Sequence, residues 1–412
     1  MFNAGLSLDQ APPLGAVLRF FLTLPLFGFI AAVCMIASYT DLGNTGTPAF
    51  LALTHLVVLG IAAQAMSGAL FQMLPVLAGA VIDHPYRRAR RIHALLTLGS
   101  VSLVFAFASE RFDLLGIAAP LTAAALGFMA VVMLNRLLRV ANKTASVTGM
   151  ILALVALLGA LIAALAMGFF YATGDLGSLF SAFKAAHIRL MLLGWILTLI
   201  VAVALQVVEM FYVTPPYPKA VQRFFLPLLF ILLIADTAGA FLLPSAVPAI
   251  DTLLALTVTA FAALTLRRLS QRKRPLADAT VWLWRTGMGV LLLAAVLFLA
   301  GETVAAAYAL GYAILSVIYA MSYKIVPFLV WFHLNAKGVM ECPMMGDVVP
   351  ARRARYHLQL FWAAGVFLAA APFAAETLIA AGMLFGMLNL LYGYNLLHAA
   401  VLYFKLKDKG IL

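Results

Sequence analysis

Long apolar runs, which charged residues rarely interrupt, constrain this chain more than any other feature. Hydrophobic residues make up 65% of the sequence and charged residues only 10%, and the mean hydropathy is +1.07. A soluble domain has too much surface to hide so many apolar side chains. The sequence therefore predicts that lipid is the solvent for most of the chain.

The apolar runs have the length of membrane-crossing helices. A helix needs roughly 20 apolar residues to cross a bilayer, and about twelve such runs follow one another. They lack the alternation of barrel strands, and a helix satisfies its own backbone groups in lipid. We therefore expect an all-α polytopic membrane protein that forms a single transmembrane domain over residues 1–412. The predicted spans are 14–40, 49–81, 92–108, 113–135, 144–173, 185–213, 222–246, 248–266, 278–300, 303–334, 356–376 and 377–404.

Basic residues gather in the joints that follow the even-numbered spans. Of the 27 lysines and arginines, 21 lie in those joints or in the C-terminal tail, as in the runs 87–91 and 267–274. Basic loops remain on the cytoplasmic side of a membrane. This topology explains the net charge of +12 without a nucleic-acid partner. It predicts a multi-pass protein of the inner (plasma) membrane, in contact with the lipid bilayer, with both termini in the cytoplasm.

Spans two, six and ten share a pattern, which predicts an internal repeat. Each contains a Leu-Gly pair, and a polar residue follows the glycine after twelve positions. The pairs are Leu59-Gly60, Leu193-Gly194 and Leu310-Gly311, and the polar residues are Gln72, Gln206 and Tyr323. Each copy of the pattern lies four spans after the previous one. The pattern is that of three copies of a four-helix unit.

Two histidines lie on the first two of these spans at similar depth. Measured from the matched glycines, His55 and His187 differ by two residues, or about 3 Å along a helix axis. Imidazole is the usual ligand of heme iron and copper. The spacing therefore predicts a heme or metal site near the outer leaflet. The alternative is two separate histidines that bond to backbone carbonyls or to water.

The architecture and the second span both resemble known heme proteins. Three four-helix units with histidines on spans two and six resemble the heme-copper oxidase subunit I fold. The second span is similar to the NnrS family, a heme- and copper-containing group associated with nitric oxide metabolism. The matching residues are His55, Gly60, Gly68, Leu70, Pro75 and Gly79. The resemblance implies heme, with copper as a further candidate, bound by His55 and His187. It also implies a small gaseous or solute ligand and an electron-donor protein.

The chain departs from the oxidase pattern on two spans. Oxidases carry a histidine pair on helix seven and a His-x-His near the outer end of helix ten. Here span seven has no histidine, and the outer part of span ten offers Glu302, Thr303 and Tyr308. The resemblance therefore implies redox chemistry or nitric oxide handling without a complete oxidase centre.

A second group of histidines is predicted on the cytoplasmic side. Its members are His84, His93, His333, His357 and His398. They either converge on a site or lie separately among lipid headgroups. His398 is the further cofactor candidate, because Asn389, Tyr392, Tyr394 and Asn395 share its helix.

Charged residues inside spans predict function or buried pairing. Glu209 and Lys324 fall at similar depth on spans six and ten, so we expect an intramembrane ion pair. The pair would serve a proton or ion relay or be structural, unless Lys324 extends to the headgroups. Asp236 and Arg189 are also within spans. Such charges leave open a second class of function, a secondary transporter of a small solute or ion.

The predicted topology can be tested with a reporter fused after Leu412. We expect activity only from a reporter that works in the cytoplasm, because basic loops stay on the cytoplasmic side of the membrane. Activity of a periplasmic reporter at the same position would contradict the predicted number of spans.

Overall fold

The computed structural model describes residues 7–174, 177–340 and 342–409, and these residues form helices, turns and connecting loops without a strand. Twelve long helices coincide with the twelve predicted spans, which confirms a polytopic helical membrane protein. They are α1 (Leu14–Ala37), α2 (Pro48–Ala78), α3 (Pro85–Ala108), α4 (Leu115–Leu138), α5 (Ala145–Thr173), α6 (Leu179–Tyr212), α7 (Val221–Leu242), α8 (Val247–Ser270), α9 (Ala279–Leu299), α10 (Thr303–Asn335), α11 (Ala351–Ala370) and α12 (Thr377–Leu406).

Eleven of these twelve helices, within the described part of the chain, are long and apolar enough to cross a membrane. The exception is α11, whose first five residues include Arg352, Arg353 and Arg355. It begins after Pro350, five residues before the predicted span 356–376. Hydropathy alone excludes this basic turn from the predicted span. In the structure the turn is helical, and Arg352 Nε donates to the Tyr356 hydroxyl at 2.6 Å.

Several helices begin at side chains that cap their free backbone N–H groups. Asp278 precedes α9 and accepts from the N–H groups of Thr280 and Val281, both at 3.0 Å. Thr144 caps α5 in the same way, through the N–H of Val147 at 3.3 Å. Such caps stabilise a helix by about 1 kcal/mol each and fix where it begins.

The packing divides the chain into two compact units, a division that the sequence did not predict. The first unit contains Met1–Ala11 and Leu70–Arg274, and the second contains Pro12–Ala69 and Pro275–Leu412. In the first unit, α3 packs on α4, α4 on α5, α5 on α6, and α7 on both α6 and α8. In the second unit, α1 and α11 pack along α12, and α10 contacts α1, α2, α9, α11 and α12.

Helices α2 and α6 each contain an eight-residue π-helical segment in the same register. The segments are Leu56–Ala63 and Leu190–Leu197, and the glycine of the Leu-Gly pair is the fifth residue of both. Because π-helical turns are rare, a shared position supports the predicted equivalence of these two helices. Helix α10 is regularly α-helical through its own Leu-Gly pair. The third copy of the repeat therefore lacks this irregularity.

The repeated glycines also differ in what they contact. A Cβ atom on Gly60 would overlap the ring of Phe27 on α1, and one on Gly194 would lie 2.7 Å from the Cβ of Ala156 on α5. A Cβ atom on Gly311 would meet nothing within 4 Å. Glycine is therefore required for close helix approach in α2 and α6 but not in α10.

This contrast makes the three glycines a matched set for mutation. We expect Gly60→Ala and Gly194→Ala to destabilise the protein by about 1–3 kcal/mol, because each added methyl group forces packed neighbours apart. Gly311→Ala is the control and should leave the melting temperature unchanged or slightly higher. Thermal unfolding of the purified protein in detergent measures all three, and equal melting temperatures would contradict the close contacts.

Candidate functional sites in the helical units

A charged cluster lies among α6, α7 and α8 of the first unit. Arg189 donates two hydrogen bonds to Asp251, from Nε to Oδ1 at 3.1 Å and from Nη2 to Oδ2 at 2.8 Å. The same Nε lies 3.0 Å from Oδ2 of Asp236. One guanidinium group is therefore shared by two carboxylates. We call Arg189, Asp236 and Asp251 the shared-arginine cluster.

The two carboxylates of this cluster differ in environment. The side chain of Asp236 is wholly buried, whereas those of Asp251 and Arg189 are 17% and 18% exposed. Neither oxygen of Asp236 has a hydrogen-bond partner of good geometry, and the neighbouring Thr237 hydroxyl also lacks one. Asp251 holds the guanidinium as a bidentate partner, which is the stronger arrangement. Asp236 therefore carries the charge that this cluster balances least well.

An aromatic and polar cluster lies among α10, α11 and α12 of the second unit. The ring of His357 is fully buried, and the rings of three tyrosines surround it. Their centroids lie 4.7 Å away for Tyr319, 5.3 Å for Tyr323 and 5.6 Å for Tyr392. Two buried amides, Asn389 and Asn395, complete what we call the His357 cluster.

Hydrogen bonds satisfy only part of the His357 cluster. The Tyr319 hydroxyl donates to Asn389 Oδ1, and Asn395 Nδ2 donates to the Tyr323 hydroxyl, both at 3.1 Å. Both ring nitrogens of His357 and Asn395 Oδ1 have no hydrogen-bond partner. Buried polar groups without partners are rare and call for an explanation.

The predicted ligands His55 and His187 each bond to a backbone carbonyl. Nδ1 of His55 donates to the Leu51 oxygen at 2.7 Å, and Nδ1 of His187 donates to the Ala160 oxygen at 3.0 Å. Both are half-buried, and each lies within three residues of the start of a π-helical segment. They belong to different units. Their joint site stays a prediction.

Within the described residues, no group of three or more His, Cys, Asp and Glu side chains is placed to hold a metal ion. A copper site built from three such ligands therefore does not fit those residues. Heme needs only one or two axial histidines, so His55 and His187 do fit the chemistry of that group.

His398 does not lie at the centre of the polar residues that share its helix. It is half-buried, and its Nδ1 donates to the Val348 oxygen at 3.2 Å. Tyr394 is exposed and stacks beneath the guanidinium of Arg353 at 4.8 Å. It is His357, from the neighbouring helix, that contacts Tyr392. A cofactor role for His398 stays a prediction.

Lys324 has a carboxylate partner that the sequence analysis did not consider. Its Nζ donates to Oδ2 of Asp278 at 2.6 Å, within the second unit. Burial raises the pKa of Asp278, but the Lys324 ammonium group and the hydrogen bonds from Thr280 and Val281 outweigh burial and lower that pKa below its usual value. Glu209 is exposed and belongs to the first unit. The predicted pair of Glu209 and Lys324 stays a prediction.

Asp251, Asp278 and the position of His357 were not predicted from the sequence. Asp251 is the fifth residue of α8 and Asp278 immediately precedes α9, so both resemble ordinary helix-end residues. Their partners come from distant parts of the chain. The one available signal was that Arg189 and Asp236 lie within predicted spans, because charged side chains in a membrane need partners.

Comparison with models of known protein families and with curated protein sequences finds no match. The similarity to the NnrS family therefore depends on the second span alone and stays a prediction. The features of the described residues that bear on function are the two clusters and the histidines of α2 and α6.

Proposed function

We propose that this chain is an ion-coupled secondary transporter in which Asp236 receives the coupling proton or cation. The observation that carries the proposal is the shared-arginine cluster, where two carboxylates compete for one guanidinium group. Ionisable groups within membrane helices are costly and commonly line the routes of ions and protons.

Charge balance supports Asp236 as the group that binds the ion. With both carboxylates ionised, the cluster has a formal charge of −1. An unpaired charge in a buried site costs several kcal/mol. A proton or monovalent cation on Asp236 removes that cost and leaves Arg189 bonded to Asp251.

The position of Arg189 supplies a way to couple ion binding to movement. When Asp236 is neutral it no longer attracts the guanidinium, so the force between α6 and α7 depends on ion occupancy. Arg189 is the last residue before the π-helical segment of α6. π-Helical turns often mark functional sites. Ion release would draw Arg189 toward α7 at this segment.

The proposal predicts ion-dependent stability that requires both carboxylates. Ligand that binds the folded state stabilises it, by about 2.7 kcal/mol at a concentration of 100 times Kd. We expect the melting temperature of the wild type to rise with sodium or with acidification, relative to choline at equal ionic strength. Asp236→Asn should abolish the rise while retaining the fold, because the bond between Arg189 and Asp251 remains.

Two further variants complete that experiment. Asp251→Asn should also abolish the rise, because Asp236 then has the guanidinium to itself. Glu209→Gln is the control, since it removes an exposed carboxylate of the same unit, and it should retain the ion effect. An ion effect in Asp236→Asn as large as in the wild type would refute the proposed role of Asp236.

The histidines of α2 and α6 favour a second candidate function, a heme protein that handles a gas such as nitric oxide. The supporting observation is that both rings are oriented by a carbonyl bonded to Nδ1, as is usual for histidines that ligate metals through Nε2. Either His55 of the second unit or His187 of the first would be the axial ligand. Bound heme would supply an iron atom that binds a small gas and accepts electrons from a donor protein.

A visible absorption spectrum of the purified protein tests this second candidate. We expect a Soret band in the wild type and its loss or shift in either His55→Ala or His187→Ala, with iron and copper content measured per chain. A protein expressed with sufficient heme supply that lacks both the band and the metals would eliminate the heme function. It would leave the shared-arginine proposal unaffected.

A further inference from the structure

Two tryptophans and an arginine form an exposed patch where α9 packs on α11 in the second unit. Trp362 Nε1 donates to the Thr286 hydroxyl at 2.9 Å, and the rings of Trp282 and Trp362 meet edge to face with centroids 6.0 Å apart. The Arg285 guanidinium lies over the Trp282 ring at 5.0 Å. Such stacking orients a cation without neutralising it.

A second arginine, Arg355, belongs to the same face of α11 as Trp362. It lies seven residues earlier, which is close to two full turns, so the two residues differ by only about 20° in direction around the helix. Its side chain is exposed. We call Trp282, Arg285, Arg355 and Trp362 the α9–α11 surface.

The contacts of α10 show how the two arginines are placed along the helices. The Tyr323 ring lies 5.3 Å from that of His357 on α11. The next residue of α10, Lys324, donates to Asp278, which immediately precedes α9. His357 therefore lies near the level at which α9 begins, and Arg355 lies two residues before it. The other arginine is the seventh residue of α9, about 9 Å further along.

The α9–α11 surface has positive charge that the protein does not balance. Among the described residues, no carboxylate pairs with Arg285 or Arg355 and none accepts a hydrogen bond from them. Asp278 precedes α9, but Lys324 already pairs with it. The surface therefore has a formal charge of +2. A guanidinium that stacks on a ring keeps its N–H edge free, and that edge fits two oxygens of a phosphate group.

Exposed apolar side chains continue the surface away from the start of α9. Leu293 and Val296 follow Trp282 by eleven and fourteen residues on the same face of α9, and Val366 lies one turn beyond Trp362 on α11. A free phosphate ion would not cover these side chains, whereas the acyl chains of a lipid would. Tryptophan and arginine are also typical of the level of lipid headgroups.

We propose that the α9–α11 surface binds the headgroup of an anionic phospholipid such as phosphatidylglycerol. Arg285 and Arg355 donate hydrogen bonds to its phosphate group, and the acyl chains follow the exposed apolar face. A zwitterionic headgroup contains a cation that the two arginines repel, so the surface prefers a lipid of net negative charge. The site belongs to the second unit and does not depend on the proposed role of Asp236 in the first.

Quenching of tryptophan fluorescence by brominated lipids tests this preference in the full-length protein. A Trp331→Phe background leaves two exposed tryptophans, Trp282 and Trp362, and two buried ones, Trp195 and Trp284. In phosphatidylcholine vesicles with a minor fraction of brominated lipid, we expect brominated phosphatidylglycerol to quench more than brominated phosphatidylcholine does. Replacing both exposed tryptophans by phenylalanine should remove the difference. Equal quenching by the two lipids before that replacement would overturn the proposal.

Charge variants with a matched control locate the phosphate group. Arg285→Gln should reduce the preference for phosphatidylglycerol by about tenfold, because it removes a charge-assisted partner of the phosphate. Arg355→Gln changes an exposed side chain and should also reduce it. Arg352→Gln is the control, since it removes the same charge from the same end of α11 but its guanidinium bonds to Tyr356.

The control should retain the preference. A loss in Arg352→Gln as large as in Arg285→Gln would indicate diffuse attraction and overturn the site. Inorganic phosphate, compared with chloride at equal ionic strength, should not relieve the quenching. Relief by inorganic phosphate would identify a site for the free ion instead of a lipid.

Discussion

The hydrocarbon core of a bilayer cannot form hydrogen bonds, and the structure of this protein depends on that constraint. Each backbone group within the membrane needs a partner in its own helix, which is why the apolar runs are helical throughout the described residues. The same constraint applies to side chains. A charge that leaves water must find an opposite charge or a proton, so Arg189 and the two carboxylates around it are drawn together from three helices.

Each unit contains one cluster in which buried polar side chains from three helices meet. In the first unit the concentration is ionic, with Asp236 as the wholly buried member. In the second unit it is formally neutral, with His357 enclosed by tyrosines and amides. Lys324, by contrast, pairs with Asp278, whose side chain is 49% exposed, so that pair contributes little to stability. Both buried clusters contain polar atoms without hydrogen-bond partners, which the pair of Lys324 and Asp278 does not show.

The repeated pattern of α2 and α6 lies close to side chains of the candidate sites. Their π-helical segments share a register with the glycines that permit close packing on α1 and α5. Arg189 immediately precedes one segment and His55 the other. Both candidate functions therefore assign a role to a side chain that lies beside a π-helical segment. Helix α10 retains the Leu-Gly pair without the irregularity, and its tyrosines contribute to the His357 cluster instead.

The sequence by itself determined the helical membrane architecture and the approximate position of every long helix. This follows because hydropathy over some 20 residues is a local property that needs no knowledge of neighbours. Its largest positional error is at α3, which begins at Pro85 rather than at residue 92, because the arginines between these positions form part of the helix but not of the apolar run. The Leu-Gly register also predicted the equivalence of α2 and α6.

Only the tertiary structure decided which polar groups meet. Arg189 and Asp236 were visible as charges within spans, but Asp251, 62 residues from Arg189, could be chosen as partner only by helix packing. Likewise His398 shares a helix with Asn389 and Tyr392, yet the ring that contacts Tyr392 is that of His357 from α11. The rotation of each helix about its axis decides such contacts. That rotation depends on side chains of other helices, which no local pattern encodes.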